Sequence, residues 1–186
     1  PSAPVPGDDG DDERSALRLC VDLAPAELPR LEFFGPRRFQ FESQHPSPWP
    51  ENNTVHGALH RAGPGWADRP TVVLLHGWNG ELGYQFQFPL LAWRLGHRGF
   101  NTVMIELPYH GRRKPSHPGA TKNFLSPDLL RVAEATRQAI SDVRTVVRWL
   151  SAHGSPFVAL WGVSLGAWLA GLTGSAGPAL RGAIVM

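Results

Sequence analysis

Apolar and polar residues follow two different patterns along this chain, and the first pattern covers its N-terminal third. Leu31–Glu42 and Thr54–Ala62 alternate loosely between apolar and polar positions, as half-buried strands do. The Pro-rich stretch His45–Pro50 separates them. This arrangement predicts an antiparallel hairpin.

From residue 70 onward, short apolar runs alternate with segments of helical spacing. The apolar runs predict strands covered on both faces, namely Thr71–Leu75, Thr102–Leu107, Phe157–Trp161 and Gly182–Met186. The segments between them predict three helices: Phe88–Gly96, a long one from Ser126 to Gly154, and Leu165–Thr173. Strands that alternate with helices need crossover connections, which favour a mostly parallel sheet with helices on both faces. The fold class is therefore α/β.

The long helix has the clearest boundaries. Ser126-Pro127-Asp128 combines a hydroxyl cap, a proline at the first helical position and an acid near the positive end of the helix dipole. Apolar residues then recur every three or four positions, at Leu129, Ala133, Ile140, Val143, Val147 and Leu150. This spacing predicts one buried face along the helix.

Composition indicates a folded domain with a distinct N-terminus. Hydrophobic residues make up 42% of the 186 residues and charged ones 18%, which suits one globular domain. Residues 1–15 are rich in Pro, Gly and Asp and predict a disordered acidic tail. Residues 16–186 then form part of a single domain.

Charge and cysteine content argue against several classes of function. The net charge of +2 becomes +7 beyond residue 13, because five acids lie in residues 8–13. That surplus is too small and too scattered to indicate nucleic-acid binding. Cys20 is the only cysteine, so there is no internal disulfide and no cysteine-built zinc site. No apolar run approaches the ~20 residues of a transmembrane helix, while a lipid surface stays open as a partner.

The strongest chemical signal is Gly162-Val163-Ser164-Leu165-Gly166, which follows a predicted strand and opens a predicted helix. A strand that reverses sharply into a helix holds the serine in a strained conformation with its hydroxyl exposed. Gly162 and Gly166 leave room for the turn. Ser164 is therefore the candidate nucleophile, and the alternative is an ordinary strand–helix junction with a capping serine.

A second motif, His76-Gly77-Trp78, directly follows the strand Thr71–Leu75. With both motifs in this order, the chain from Leu31 to Met186 resembles the α/β-hydrolase family. The resemblance implies that the backbone N–H groups of Trp78 and Leu165 form the oxyanion hole. It also implies that Gly77 shapes the oxyanion loop and that His76 is a structural histidine, since the family order is serine, acid, histidine.

The loop after the strand Thr102–Leu107 carries further candidates. Its sequence Leu-Pro-Tyr-His-Gly-Arg-Arg-Lys-Pro, residues 107–115, is similar to the branch of the family that contains abhydrolase-domain-containing protein 18. Arg112 and Arg113 leave the same strand end, so either could contact a phosphate or carboxylate on the substrate. The alternative is a solvated surface loop.

A complete triad is not visible. In the family, the acid follows the seventh strand and the histidine the eighth, and the chain stops after the sixth strand of such a fold. His110 or His56, backed by Asp128 or Asp142, would be an unorthodox base that no spacing supports. Because the chain also begins with Pro1 rather than Met, we expect it to be a fragment. The compartment is left open.

The sequence therefore predicts a serine hydrolase that cleaves carboxylic ester, thioester or peptide bonds in small-molecule acyl substrates through an acyl-enzyme on Ser164. No metal or organic cofactor is implied. Two alternatives share the fold, which are a non-catalytic binding or scaffold protein and an acyltransferase.

Overall fold

The computed structural model describes residues 30–80, 82–116, 124–175 and 183–185. Residues 1–15, predicted to be a disordered acidic tail, lie outside this part of the chain. The strands described are β1 (Glu32–Phe34), β2 (Arg38–Glu42), β3 (Thr54–His60), β4 (Thr71–Leu75), β5 (Asn101–Ile105), β6 (Val158–Gly162) and β7 (Ala183–Val185). The α-helices described are α1 (Pro50–Asn53), α2 (Phe88–Gly96), α3 (Leu129–Ala152) and α4 (Leu165–Ser175).

The described strands form one mixed sheet in the order β1-β2-β3-β5-β4-β6-β7. The pairs β1–β2, β2–β3 and β3–β5 are antiparallel, whereas β5–β4, β4–β6 and β6–β7 are parallel. The predicted hairpin is confirmed by the pairing of Phe39 with Gly57 and of Phe41 with Val55. The predicted α/β class is confirmed as well.

The first predicted strand, Leu31–Glu42, is two strands rather than one. Gly35 has a left-handed φ of 68°, and Pro36 follows it, so the chain reverses between β1 and β2. Gly-Pro is a turn signal that the alternation of apolar residues conceals.

The sheet carries helices on both faces. Helices α3 and α4 pack on one face, where Val73, Leu75 and Ile105 point into the larger core. Helix α2 packs on the other face through Phe88, against Leu74 and Met104. Every residue of β4 and β5 is buried, as expected for strands covered on both sides.

Helix α3 begins two residues later than predicted. Its N-cap is Asp128, whose carboxylate accepts from the N–H groups of Leu130 and Arg131 at 3.1 and 3.3 Å. Ser126 instead accepts from the Asp128 N–H. Leu129 is 81% exposed, so the buried face starts later in the helix than the spacing suggested.

The other end of α3 is as predicted. Gly154 has a φ of 100°, and the Ser155 N–H donates to the Leu150 carbonyl at 3.1 Å. The Gly154 N–H donates to the Ser151 carbonyl at 3.2 Å, which completes a Schellman cap. No described helix has the length and apolar character needed to span a bilayer.

Candidate active site

The carboxyl ends of β4, β5 and β6 meet at one edge of the sheet. His76 directly follows β4, Glu106 follows β5, and Ser164 lies two residues beyond β6. In open α/β sheets, this edge is where ligands bind.

Ser164 lies in a sharp turn between β6 and α4. Its φ is 52°, a left-handed conformation that is costly for a residue with a Cβ. The Val163 N–H donates to the Leu75 carbonyl at 3.2 Å, and the Trp168 N–H donates to the Ser164 carbonyl at 3.0 Å. Ser164 itself is exposed. The turn therefore presents the hydroxyl to solvent at the start of a helix.

The two glycines of the motif are required by close backbone contacts. A Cβ on Gly162 would lie 2.2 Å from the Gly166 carbonyl oxygen. A Cβ on Gly166 would lie 2.2 Å from the Leu75 carbonyl oxygen. Backbone atoms cannot move aside as a flexible side chain can, so any other residue at either position would force the backbone to shift.

The loop after β4 packs against this turn. A Cβ on Gly77 would lie 3.5 Å from the Ser164 Cβ and 3.3 Å from the Val163 carbonyl oxygen. The N–H groups of Trp78 and Leu165 follow Gly77 and Ser164 in the chain, and neither donates a hydrogen bond to any described residue. Trp78 is 43% exposed. Gly77 of the loop therefore lies beside Ser164 of the turn, and each of these two residues is followed by an N–H group that bonds no described residue.

His76 is buried and bonded through both ring nitrogens. The Leu107 N–H donates to Nε2 at 3.1 Å, so that nitrogen carries no proton. Nδ1–H then donates to the Gly77 carbonyl at 2.8 Å. Burial lowers the pKa of His76 to about 4, which keeps the ring neutral at physiological pH. This histidine therefore bonds the backbone of two loops, after β4 and after β5.

Arg112 lies at the rim of a cavity of about 630 Å³ on the face of the sheet that carries α2. Its guanidinium pairs with Glu106 Oε1 at 2.9 Å. The backbone N–H of Arg112 donates to Oε2 of the same carboxylate at 2.7 Å. Tyr84 also lines the cavity, and burial raises the pKa of its phenol. Nothing in the sequence singles out Tyr84, because a lone tyrosine after a glycine has no distinguishing pattern.

Arg113 differs from the expectation that it contacts substrate. Its side chain is fully buried and pairs with Asp142 of α3 at 2.9 Å. Burial raises the pKa of the Asp142 carboxyl, and the guanidinium and the Ser43 hydroxyl oppose that rise. Neither alternative in the sequence, substrate contact or solvated loop, describes this residue.

The unorthodox bases considered from the sequence have other partners. Asp142 is paired with Arg113, and Asp128 caps α3. His110 is buried, with its Nδ1 2.8 Å from the Pro108 carbonyl oxygen. His56 lies in the middle of the hairpin strand β3. Neither carboxylate stands behind a histidine that faces Ser164.

The fold and the turn around the serine define an α/β hydrolase. The family model described as "Alpha/beta hydrolase domain containing 18" matches residues 41–184, most of the chain. The chain belongs to this family. No curated protein sequence is significantly similar to it.

Solved structures with the same fold share little sequence with this chain. A putative acetyl xylan esterase from Bacteroides fragilis has a TM-score of 0.62 at 14% identity, covering 93% of this chain and 51% of its own. A cold-adapted esterase from an Arctic intertidal metagenomic library has a TM-score of 0.59 at 20% identity, with 84% and 63% covered. The α/β hydrolase GrgF from Penicillium sp. sh18 has a TM-score of 0.55 at 20% identity, with 81% and 45% covered. The chain thus spans about half to two thirds of these proteins.

Proposed function

We propose that this protein is a serine hydrolase that cleaves carboxylic ester, thioester or peptide bonds through an acyl-enzyme on Ser164. One observation carries the proposal. An exposed serine with a φ of 52° sits between two glycines that backbone contacts make irreplaceable. A protein retains such a strained position where the strain serves a purpose.

The geometry suits acyl transfer. The Ser164 Oγ attacks the substrate carbonyl carbon and gives its proton to a general base. The carbonyl oxygen becomes an oxyanion, which the N–H groups of Leu165 and Trp78 receive. Collapse of the intermediate breaks the bond to the leaving group, which takes a proton as it departs, and water then hydrolyses the acyl-enzyme.

The general base is the remaining part of the mechanism. In this fold class, the acid and the histidine follow the serine in the sequence. Residues 165–186 contain no histidine, aspartate or glutamate. We therefore place the base and its acid in the part of the fold that the similar structures have and this sequence does not span.

The substrate side of the proposal rests on Arg112. Its guanidinium is half exposed at the rim of the cavity beside Glu106, so it can still reach an anionic group. A carboxylate or phosphate on the substrate would fit this position.

Labelling with a fluorophosphonate probe tests the proposed nucleophile. The protein, expressed from its complete native coding sequence, should become covalently labelled at Ser164, and Ser164→Ala should abolish labelling and ester turnover. Ser151→Ala, at an exposed position in α3, is the matched control. Full turnover by Ser164→Ala would exclude the proposal. Absence of labelling in the unaltered protein would favour the non-catalytic binding protein.

A further inference from the structure

We propose that Arg113 is a positioning residue for the oxyanion hole, at the start of a one-way chain of hydrogen bonds that ends at the Trp78 N–H. The inference rests on the proposed function, because it takes that N–H as an oxyanion donor. It gives a role to a buried residue that the reaction itself does not touch.

The series of hydrogen bonds starts from the Arg113 guanidinium, which is held by several partners. Arg113 Nη2 pairs with Asp142 of α3 at 2.9 Å. Nε and Nη2 donate to the Asn52 carbonyl at 3.0 and 2.8 Å, and Nη1 donates to the Glu106 carbonyl at 3.0 Å. A planar fork with partners on three segments cannot rotate or shift.

The first link is the peptide group between Glu106 and Leu107. Its carbonyl oxygen accepts from Arg113, and its N–H donates to His76 Nε2 at 3.1 Å. A trans peptide is planar, with the C=O and N–H on opposite sides. Because Arg113 holds the Glu106 carbonyl oxygen, it also fixes the direction of the Leu107 N–H, which points at the His76 imidazole.

The second link is the ring of His76 and the peptide group after it. Because Nε2 accepts, Nδ1 carries the proton and donates to the Gly77 carbonyl at 2.8 Å. The Gly80 N–H donates to the same oxygen at 3.0 Å. The N–H of the same planar peptide belongs to Trp78 and points to the opposite side of the C–N bond. Its direction is thus set by His76 together with Gly80.

All these hydrogen bonds run in the same direction. Each group accepts on one side and donates on the other, from the guanidinium through two peptides and one imidazole. Hydrogen bonds aligned in this way polarise one another. The positive charge of Arg113 therefore strengthens the last donor, the Trp78 N–H, as well as orienting it.

Stability alone does not account for this arrangement. A buried ion pair is often no more stabilising than apolar residues of similar volume. Arg113 and Asp142 also connect α3 to the loop at the active edge rather than fill the core. The pair is better explained by what it holds in place.

The test compares fluorophosphonate labelling of the full-length protein with that of Arg113→Met/Asp142→Asn. In the labelling step, the Ser164 Oγ–P bond forms, fluoride leaves and the base takes the hydroxyl proton. The double variant removes both buried charges with little change in volume, so it avoids leaving one charge unpaired. Arg94→Met, at an exposed position in α2, is the matched control.

We expect the maximal labelling rate of the double variant to fall by at least about tenfold, and by no more than the roughly 100- to 1,000-fold that follows the loss of a whole donor. The probe concentration at half-maximal rate should stay the same, since a positioning defect acts on the reaction rather than on binding. Thermal melting checks that the variant is folded. An unchanged rate in the folded variant would overturn the inference, whereas an unlabelled wild type would overturn the proposed function instead.

If the double variant does not fold, a measurement on the wild type tests whether the proposed hydrogen bonds through His76 are formed. Nuclear magnetic resonance should detect a scalar coupling across the hydrogen bond between the Leu107 amide nitrogen and His76 Nε2. It should also show His76 as the Nδ1–H tautomer. A missing coupling or the opposite tautomer would show that these hydrogen bonds are not formed as described and would overturn the inference.

Discussion

At the scale of single residues, the turn around Ser164 depends on glycine for steric reasons that a substitution can measure. Gly166→Ala would bring a Cβ to 2.2 Å from the Leu75 carbonyl oxygen. Because that oxygen belongs to a central strand, β4 or α4 would have to shift. We expect the free energy of unfolding to fall by about 3 kcal/mol or more, measured by urea denaturation.

Gly171 provides the matched control in the same helix. Nothing lies within 4 Å of a Cβ built on Gly171. The residue is exposed to solvent and lies away from both ends of α4. Gly171→Ala should therefore stabilise the protein by roughly 0.5–1 kcal/mol, since alanine is the better helix former. Equal effects of the two substitutions would contradict the steric account.

His76 makes stability depend on pH. Its imidazole titrates near 6.5 in the unfolded chain and near 4 in the folded protein, because it is buried and neutral. Between these values, the unfolded chain binds a proton that the folded protein does not. The free energy of unfolding should therefore fall as the pH drops from about 6.5 towards 4, by on the order of 3 kcal/mol in total.

The check is urea denaturation of the wild type and of His76→Gln at pH 7, 6 and 5. The variant should be less stable at pH 7 and show a shallower dependence on pH. Some dependence should remain, since burial also lowers the pKa of His45, His56 and His60. His97→Gln replaces an exposed histidine and controls for the loss of an imidazole. The same slope in His76→Gln and wild type would refute the assignment.

At the scale of the elements, the start of α3 separates two candidate caps. Asp128→Ala removes a carboxylate that accepts from two helix N–H groups, so it should cost about 1 kcal/mol, within the usual 0.5–2 kcal/mol for a cap. Ser126→Ala removes one acceptor outside the helix and should cost less. The measurement is again urea denaturation, and the reverse order would make Ser126 the cap.

The same helix shows what the sequence could and could not predict. The apolar spacing identifies α3 and its buried residues from Ile140 onward, and Gly154 marks its end. It fails at Leu129 and Ala133, which are both exposed, because periodicity does not reveal whether any element covers the first turns. At that end the local turn chemistry, not the spacing, decides where the helix begins.

The candidate site divides in the same way. Ser164 and the glycines are visible in the sequence, because a strand–turn–helix junction is local. The environment of Arg113 cannot be predicted from the sequence. Its partner Asp142 lies 29 residues away, on a helix whose position depends on the whole sheet. A basic run beside a strand end has the same sequence pattern whether its arginines face solvent or a buried carboxylate.

At the scale of the whole molecule, the order of the strands explains why the site is well supported. β4 lies between β5 and β6 in the sheet, and these three strands end at His76, Glu106 and the turn before Ser164. The antiparallel strands β3, β2 and β1 continue the sheet on the far side of β5. The residues of the proposed site thus follow strands that have neighbours on both sides.

This arrangement predicts a gradient of hydrogen exchange across the sheet. The amides of β4, β5 and β6 are hydrogen-bonded between buried neighbours, so they should exchange only through the largest openings of the protein. The amides of β1 and β7 should exchange fastest, because each has three residues and pairs with only one of the described strands. β2 and β3 should be intermediate. Exchange followed by mass spectrometry of peptides resolves these groups, and stronger protection in β2–β3 than in β4 would mean that the hairpin, rather than the strands beneath Ser164, is the most stable part of the fold.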